Sequence, residues 1–179
     1  QFNNLSYNPP MVMISFQPTG TEEEACKKDT LVNIEETGSF VYNMVPYALK
    51  DKMNITAIPS HDLDEWEAAG LTKADSIQVP AKRVAESPIQ FECEYVQTIH
   101  FPSKSKKGVI DMVIAKVVEV HIDDDVLTPD GKIDFLKIKP LGRMGYWDYT
   151  YVNDVFSMAI PGLTAAQMSG MGGDRLKKD

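Results

Sequence analysis

Histidine, cysteine and positive charge are all scarce in this chain, and each shortage closes off a class of function. The three histidines, His61, His100 and His121, stand far apart with no HExxH pattern and no paired spacing, so a transition-metal centre has no ligand set to rest on. The two cysteines, Cys26 and Cys93, lack CxxC spacing; they fit free thiols in a reducing, cytoplasmic setting better than a disulfide framework. Lys and Arg number 18 against 26 Asp and Glu, a net charge of −8. That balance argues against a general nucleic-acid binder, because nothing offsets the repulsion from phosphates. No apolar run reaches the roughly 20 residues a membrane span needs, and no signal peptide is visible.

Catalytic signatures are missing as well. The chain has no GxGxxG, no P-loop and no GxSxG, which removes support for Rossmann dinucleotide enzymes, P-loop NTPases and nucleophile-elbow hydrolases. Asp123-Asp124-Asp125 followed by Asp130-Gly131 fails the EF-hand pattern in both its glycine and its terminal glutamate, and reads as an acidic turn between strands. No carboxylate pair stands out by spacing. Chemistry in this chain would therefore be carried by a cofactor.

What is present is an ordinary globular composition: 179 residues, 43% hydrophobic and 25% charged, enough for one domain with a real core. The expected organisation is a domain over 1–167 and a flexible glycine-containing tail over 168–179. The pattern predicts strands at Met11–Phe16 and Phe40–Val45, with a loop rich in glutamate between Gln17 and Lys27. Pro46 starts a helix to about Met53, and Asp62 or Asp64 opens a shorter one that Gly70 stops. From Ile89, apolar residues alternate with Gln90, Glu92 and Glu94, predicting one buried and one wet face. Val109–Ile122 is apolar on both faces around Lys116 and Glu119, as in a central strand with a bulge. The two runs read as a hairpin whose tip carries Lys104, Lys106 and Lys107. Pro129-Asp130-Gly131 is a turn, Ile133–Ile138 a short strand, and Val155–Ile160 a last apolar stretch. The sum is a mainly β chain, an antiparallel barrel with short helical insertions.

One segment combines local structure with chemistry. Lys28 to Gly38 reads as a capped helix: Asp29 or Thr30 can accept from the first free N–H groups, and Gly38 supplies the left-handed stop. Leu31 and Ile34 share one face. A helix start carrying Lys28 and the Thr30 hydroxyl offers a cation, a hydroxyl and backbone donors at one point, which suits a phosphate. A second unusual stretch is Leu141-Gly142-Arg143-Met144-Gly145-Tyr146-Trp147, where arginine can pair with a phosphate and an aromatic can stack on a planar ring.

Five segments in order carry a resemblance. Phe2–Val12, Lys28–Ile34, Arg83–Ile89, Val120–Asp124 and Pro140–Gly145 together resemble the flavin reductase-like family of FMN-binding split β-barrels, over residues 1 to about 160. The resemblance implies a Greek-key split barrel and a homodimer with one FMN near each subunit interface. It implies that Lys28 and Thr30 contact the phosphate, with Asp29 beside them as a cap. It also implies that backbone groups of Phe2, Asn3, Ser15 and Phe16 hold the flavin ring, and that Arg143 closes the site. Family members carry a further strand hairpin before Phe2, which is expected to be missing here. The implied activity is an NADH- or NADPH-dependent flavin reductase passing hydride to FMN N5, with a non-catalytic FMN carrier or regulatory protein as the alternative.

Overall fold

The computed structural model describes residues 2–18, 27–58, 63–103, 109–158 and 160–162. Cys26, His61, Asp62, the lysines of the hairpin tip and the tail over 168–179 lie outside the described residues. In chain order the strands β1 (Phe2–Tyr7) and β2 (Pro10–Phe16) precede the helix α1 (Asp29–Thr37) and the strand β3 (Ser39–Asn43). A 3-10 turn, Tyr47–Leu49, leads into α2 (Lys50–Ile55), then α3 (Glu65–Ala69) and the two-residue strands β4 (Lys73–Ala74) and β5 (Arg83–Val84). The long strands β6 (Ile89–Pro102) and β7 (Val109–Ile122) follow, then α4 (Phe135–Ile138) and a small hairpin of β8 (Leu141–Arg143) and β9 (Tyr149–Tyr151).

The main sheet runs β1-β2-β7-β6-β3, with each neighbouring pair antiparallel. β7 is interior, which explains why its apolar residues fall on both faces. Its ladder with β6 slips twice: between Glu92 and Cys93, where Val118 is the extra residue, and between Tyr95 and Gln97, where Val96 is. Such bulges add twist and let a long hairpin curl toward a barrel. The core lies under α1: Leu31 and Ile34 pack onto Val12, Phe16, Cys93, Val113 and Ala115. The chain is thus mainly β with short helical insertions, as its alternation predicts.

Local signals explain several helix ends. Gly38 takes φ 71° and its N–H returns to the Ile34 carbonyl at 2.9 Å, a left-handed stop that a side chain would strain. Asp64 caps α3 by accepting from Trp66 N–H at 2.8 Å, and Gly70 closes it with φ 60°. The start of α1 departs from expectation. The residue at the cap position is Lys28, extended at φ −69° and ψ 144°, and no side chain caps it. Its carbonyl already takes the N–H groups of Leu31 and Val32, so Asp29 and Thr30 are inside the first turn and cannot serve as the N-cap.

Two further expectations are corrected. Ile133–Ile138 is not a strand: Asp134 accepts from Lys137 N–H at 3.0 Å and caps α4. The helical turn carries Ile138 into a small cluster with Ile89 and Val126. The expected wet face of β6 is exposed at Glu94 but covered at Gln90 and Glu92. Gln90 and Glu92 are 2% and 0% exposed, because the segment 75–87 folds over that face and turns backbone groups toward both side chains. Gln90 receives Arg83 Nη1 at 3.0 Å and donates to the Val84 and Ser87 carbonyls. The Val155–Ile160 stretch forms no regular element in its described residues, and Val155, Phe156 and Met158 are exposed.

Candidate functional site

The start of α1 meets the end of β2 and the β8–β9 hairpin around a cavity of about 560 Å³. Its described lining is Ile14, Ser15, Phe16, Gln17, Lys28, Thr30 and Arg143. Five residues singled out in the sequence, Ser15, Phe16, Lys28, Thr30 and Arg143, therefore come together in space.

Each arrives by a different device. Ser15 and Phe16 are the last residues of β2, carried past the described β1 ladder, which ends where Phe2 pairs with Ile14. Phe16 is buried at 9% exposure and anchors that end in the core beneath α1. Lys28 and Thr30 are placed by the first turn of α1, whose depth against the sheet is set by Leu31, wholly buried one residue on. The Thr30 side chain and N–H form no hydrogen bond with the described residues, and no described carboxylate pairs with Lys28. Arg143 ends β8. Its guanidinium donates to the Tyr149 hydroxyl at 3.1 Å and the Tyr146 carbonyl at 2.6 Å, and lies 5.1 Å from the Tyr149 ring centroid.

The neighbouring lysine shows what distinguishes Lys28. Lys27 Nζ is 2.6 Å from Glu35 Oε2, and that hydrogen bond holds its amine above the ordinary lysine value. The same bond, aided by the Thr98 hydroxyl at 2.9 Å, pulls the Glu35 carboxyl below its usual range against the upward push of burial. Lys27 is thus internally neutralised while Lys28 faces the cavity. With Arg143 as the second cation and no acidic residue in the described lining, the cavity is electropositive within an acidic protein. Two cations, a hydroxyl and the amide end of a nine-residue helix are the donor set a phosphomonoester dianion needs. These residues fit the phosphate of a flavin mononucleotide.

The remaining expected residues sit close by without lining the cavity. Phe2 pairs through its backbone with Ile14, and Asn3 with Met13. Asn3 Oδ1 accepts from the Asn4 N–H at 3.0 Å. Asp29 occupies the first turn of α1 beside Lys28 and Thr30. Ile14 and Gln17 line the cavity and were not singled out; the strand's alternation identifies Ile14 only as core. His100 and His121 are held by carboxylates, Asp111 at 2.6 Å and Glu92 at 2.5 Å. Among the described residues no three His, Cys, Asp or Glu gather as metal ligands would, and no helix is long and apolar enough to cross a membrane.

The fold is shared with known proteins. Residues 1–153 match the model of the flavin reductase like domain. A relative from Halalkalibacterium halodurans, protein BH2278, is 32% identical over 161 residues, covering 89% of this chain and 75% of its own. Among solved structures, nitrilotriacetate monooxygenase component B from Bacillus cereus superposes with a TM-score of 0.78 at 27% identity, covering 88% of this chain and 76% of that one. The 2-nitrobenzoate 2-nitroreductase NbaA of Pseudomonas fluorescens superposes with a TM-score of 0.72 at 26% identity, covering 91% and 75%.

Proposed function

This chain belongs to the flavin reductase like domain family, whose split β-barrel is an FMN-binding fold, and from that premise we propose that it is an FMN-dependent oxidoreductase that uses NADH or NADPH. The observation that carries the reading is the cavity where Lys28, Thr30 and Arg143 converge with the end of β2.

The chain's residues act by placement and charge. Lys28 and Arg143 neutralise the phosphate dianion, and Thr30 donates from its hydroxyl. The backbone of Ser15 and Phe16, with the Phe2–Asn3 segment alongside, borders the flavin ring, and the buried Phe16 ring keeps that strand end from moving. When bound, the flavin supplies the hydride acceptor for a reduced nicotinamide. No described side chain is required as acid or base. The exposed Val155, Phe156 and Met158 are apolar side chains that a second copy would cover in the homodimer this reading implies.

The test is a visible absorption spectrum and FMN titration of the purified protein, followed by NADH and NADPH oxidation in the presence of FMN. Saturable binding with steady nicotinamide consumption is the expected result. Tight binding without turnover would leave a flavin carrier in place of a reductase. A folded protein that takes up no FMN would remove both.

A further inference from the structure

One row across the main sheet joins the phosphate cavity to a titratable pair. Phe16 on β2 is in register with Asp111 on β7, and Asp111 with His100 on β6. Paired residues project to the same side of a sheet, here the side that carries α1. Phe16 lines the cavity, so Asp111 stands one strand behind that lining, about 5 Å from backbone to backbone. The Asp111 side chain is buried, with 5% exposed, and the His100 imidazole meets it from the solvent side. His100 Nδ1 is 2.6 Å from Asp111 Oδ1 while 59% of the histidine side chain is exposed.

A second relation puts the carboxylate in the same place. The hydrogen bond from Glu35 is the main cause raising the Lys27 amine, and the charges of Glu35 and Asp111 add to it. Asp111 therefore acts on the chain neighbour of Lys28, which lines the cavity. Among the described residues, the other charged groups on this side of the pair are Lys27 and Glu35. Tyr95 of β6 reaches them through Thr98: its hydroxyl is 2.9 Å from Thr98 Oγ1, and Thr98 donates to Glu35 at 2.9 Å. Lys27 and Glu35 are joined at 2.6 Å and cancel each other. Asp111 is left to be balanced by His100, and histidine is the side chain that ordinarily changes charge between about pH 5 and 8.

We propose that His100 and Asp111 make phosphate binding in the neighbouring cavity pH-dependent. With His100 protonated, the buried carboxylate is neutralised and a phosphomonoester binds more tightly. With His100 neutral, the carboxylate charge repels it. Burial keeps that repulsion from being screened as it would be between surface charges. That the phosphate belongs to FMN rests on the flavin reading; the coupling of the pair to the cavity does not.

The experiment measures FMN affinity at constant ionic strength from about pH 5.5 to 8.5 in the wild type, His100→Gln and His100→Lys, two changes at an exposed position. The FMN phosphate titrates in the same range, so the readout is the difference between the proteins. His100→Lys should bind about threefold to tenfold more tightly than His100→Gln throughout. The wild type should follow the lysine variant at the acid end and the glutamine variant at the alkaline end. Asp111→Asn should bind more tightly than the wild type at the alkaline end, and the His100 variants carry the test alone if this buried change prevents folding. Parallel profiles for the wild type and His100→Gln overturn the proposal. If the folded wild type takes up no FMN at either end, the flavin reading falls and inorganic phosphate is the probe. Calorimetry in two buffers should then show phosphate binding with an uptake of protons in the wild type that His100→Gln lacks. Equal proton uptake in the two proteins, or no phosphate binding at either end, overturns the role of the pair.

Discussion

Glu92 Oε1 lies 2.5 Å from His121 Nε2 across the β6–β7 ladder, and the same carboxylate accepts the backbone N–H groups of Ile77 at 2.8 Å, Gln78 at 2.6 Å and Val79 at 3.2 Å. One wholly buried charge thus holds the loop before β5 onto the sheet. A buried carboxylate is tolerated only when its lone pairs are filled, and here they are.

Glu92→Gln replaces an acceptor with an amide whose NH₂ group faces N–H donors. It should lower the unfolding free energy by about 2–3 kcal/mol, read by urea denaturation at neutral pH. The pH dependence has a definite sign. Burial pushes the Glu92 carboxyl up, but the bonds from Ile77, His121, Gln78 and Val79 outweigh it and hold the group below its usual range. A carboxyl lowered in the folded state stabilises above its unfolded value of about 4.3, and the contribution is lost as pH falls through the folded value. The acid limb of the stability curve should flatten in Glu92→Gln; an unchanged limb would show that other carboxylates govern it.

Adjacent lysines should behave differently toward FMN. Lys28→Ala removes a cation from the cavity and should weaken binding by about tenfold or more, while Thr30→Ala costs about threefold to tenfold. Lys27→Ala should leave the titration midpoint nearly unchanged, since Lys27 is engaged by Glu35. Equal losses at positions 27 and 28 would point to a diffuse electrostatic effect.

Leu31→Ala should cost about 3 kcal/mol, within the usual range for a buried leucine. Leu31 is 0% exposed and seats α1 on the sheet. A thermal melt reads the loss directly. FMN affinity measured well below the melting temperature should also fall, because the turn that carries Lys28 and Thr30 loses its anchor.

Cys93 should resist modification. Burial is the main cause pushing its thiol up to about 12, so almost no thiolate exists at pH 8. In a Cys26→Ser background, a disulfide reagent should label the folded protein very slowly and the urea-unfolded protein fully. Rapid labelling of the folded form would show that the core over Cys93 opens readily.

Short-range signals were legible where the cause is local. Gly38 and Gly70 end helices because a left-handed residue is needed there, and the apolar content of Val109–Ile122 marks an interior strand. The α1 cap was misplaced by one or two residues because Lys28, which carries no capping side chain, takes the extended conformation that composition assigns to Asp29 or Thr30. Ile133–Ile138 reads as a strand from its branched residues, yet one capping aspartate and a place for Ile138 beside Val126 make it a helical turn.

By itself, the chain's alternation and its breakers determined a mainly β domain, one short helix with a phosphate-suited start, and the absence of any metal or nucleophile signature. Only the tertiary structure decided that Gln90 and Glu92 are buried, since a covering loop leaves no period in the strand it covers. Only it decided that Arg143 lines the same cavity as Lys28 and Thr30. Those relations join residues far apart in sequence. They exist because packing brings α1, the end of β2 and the β8–β9 hairpin to one place.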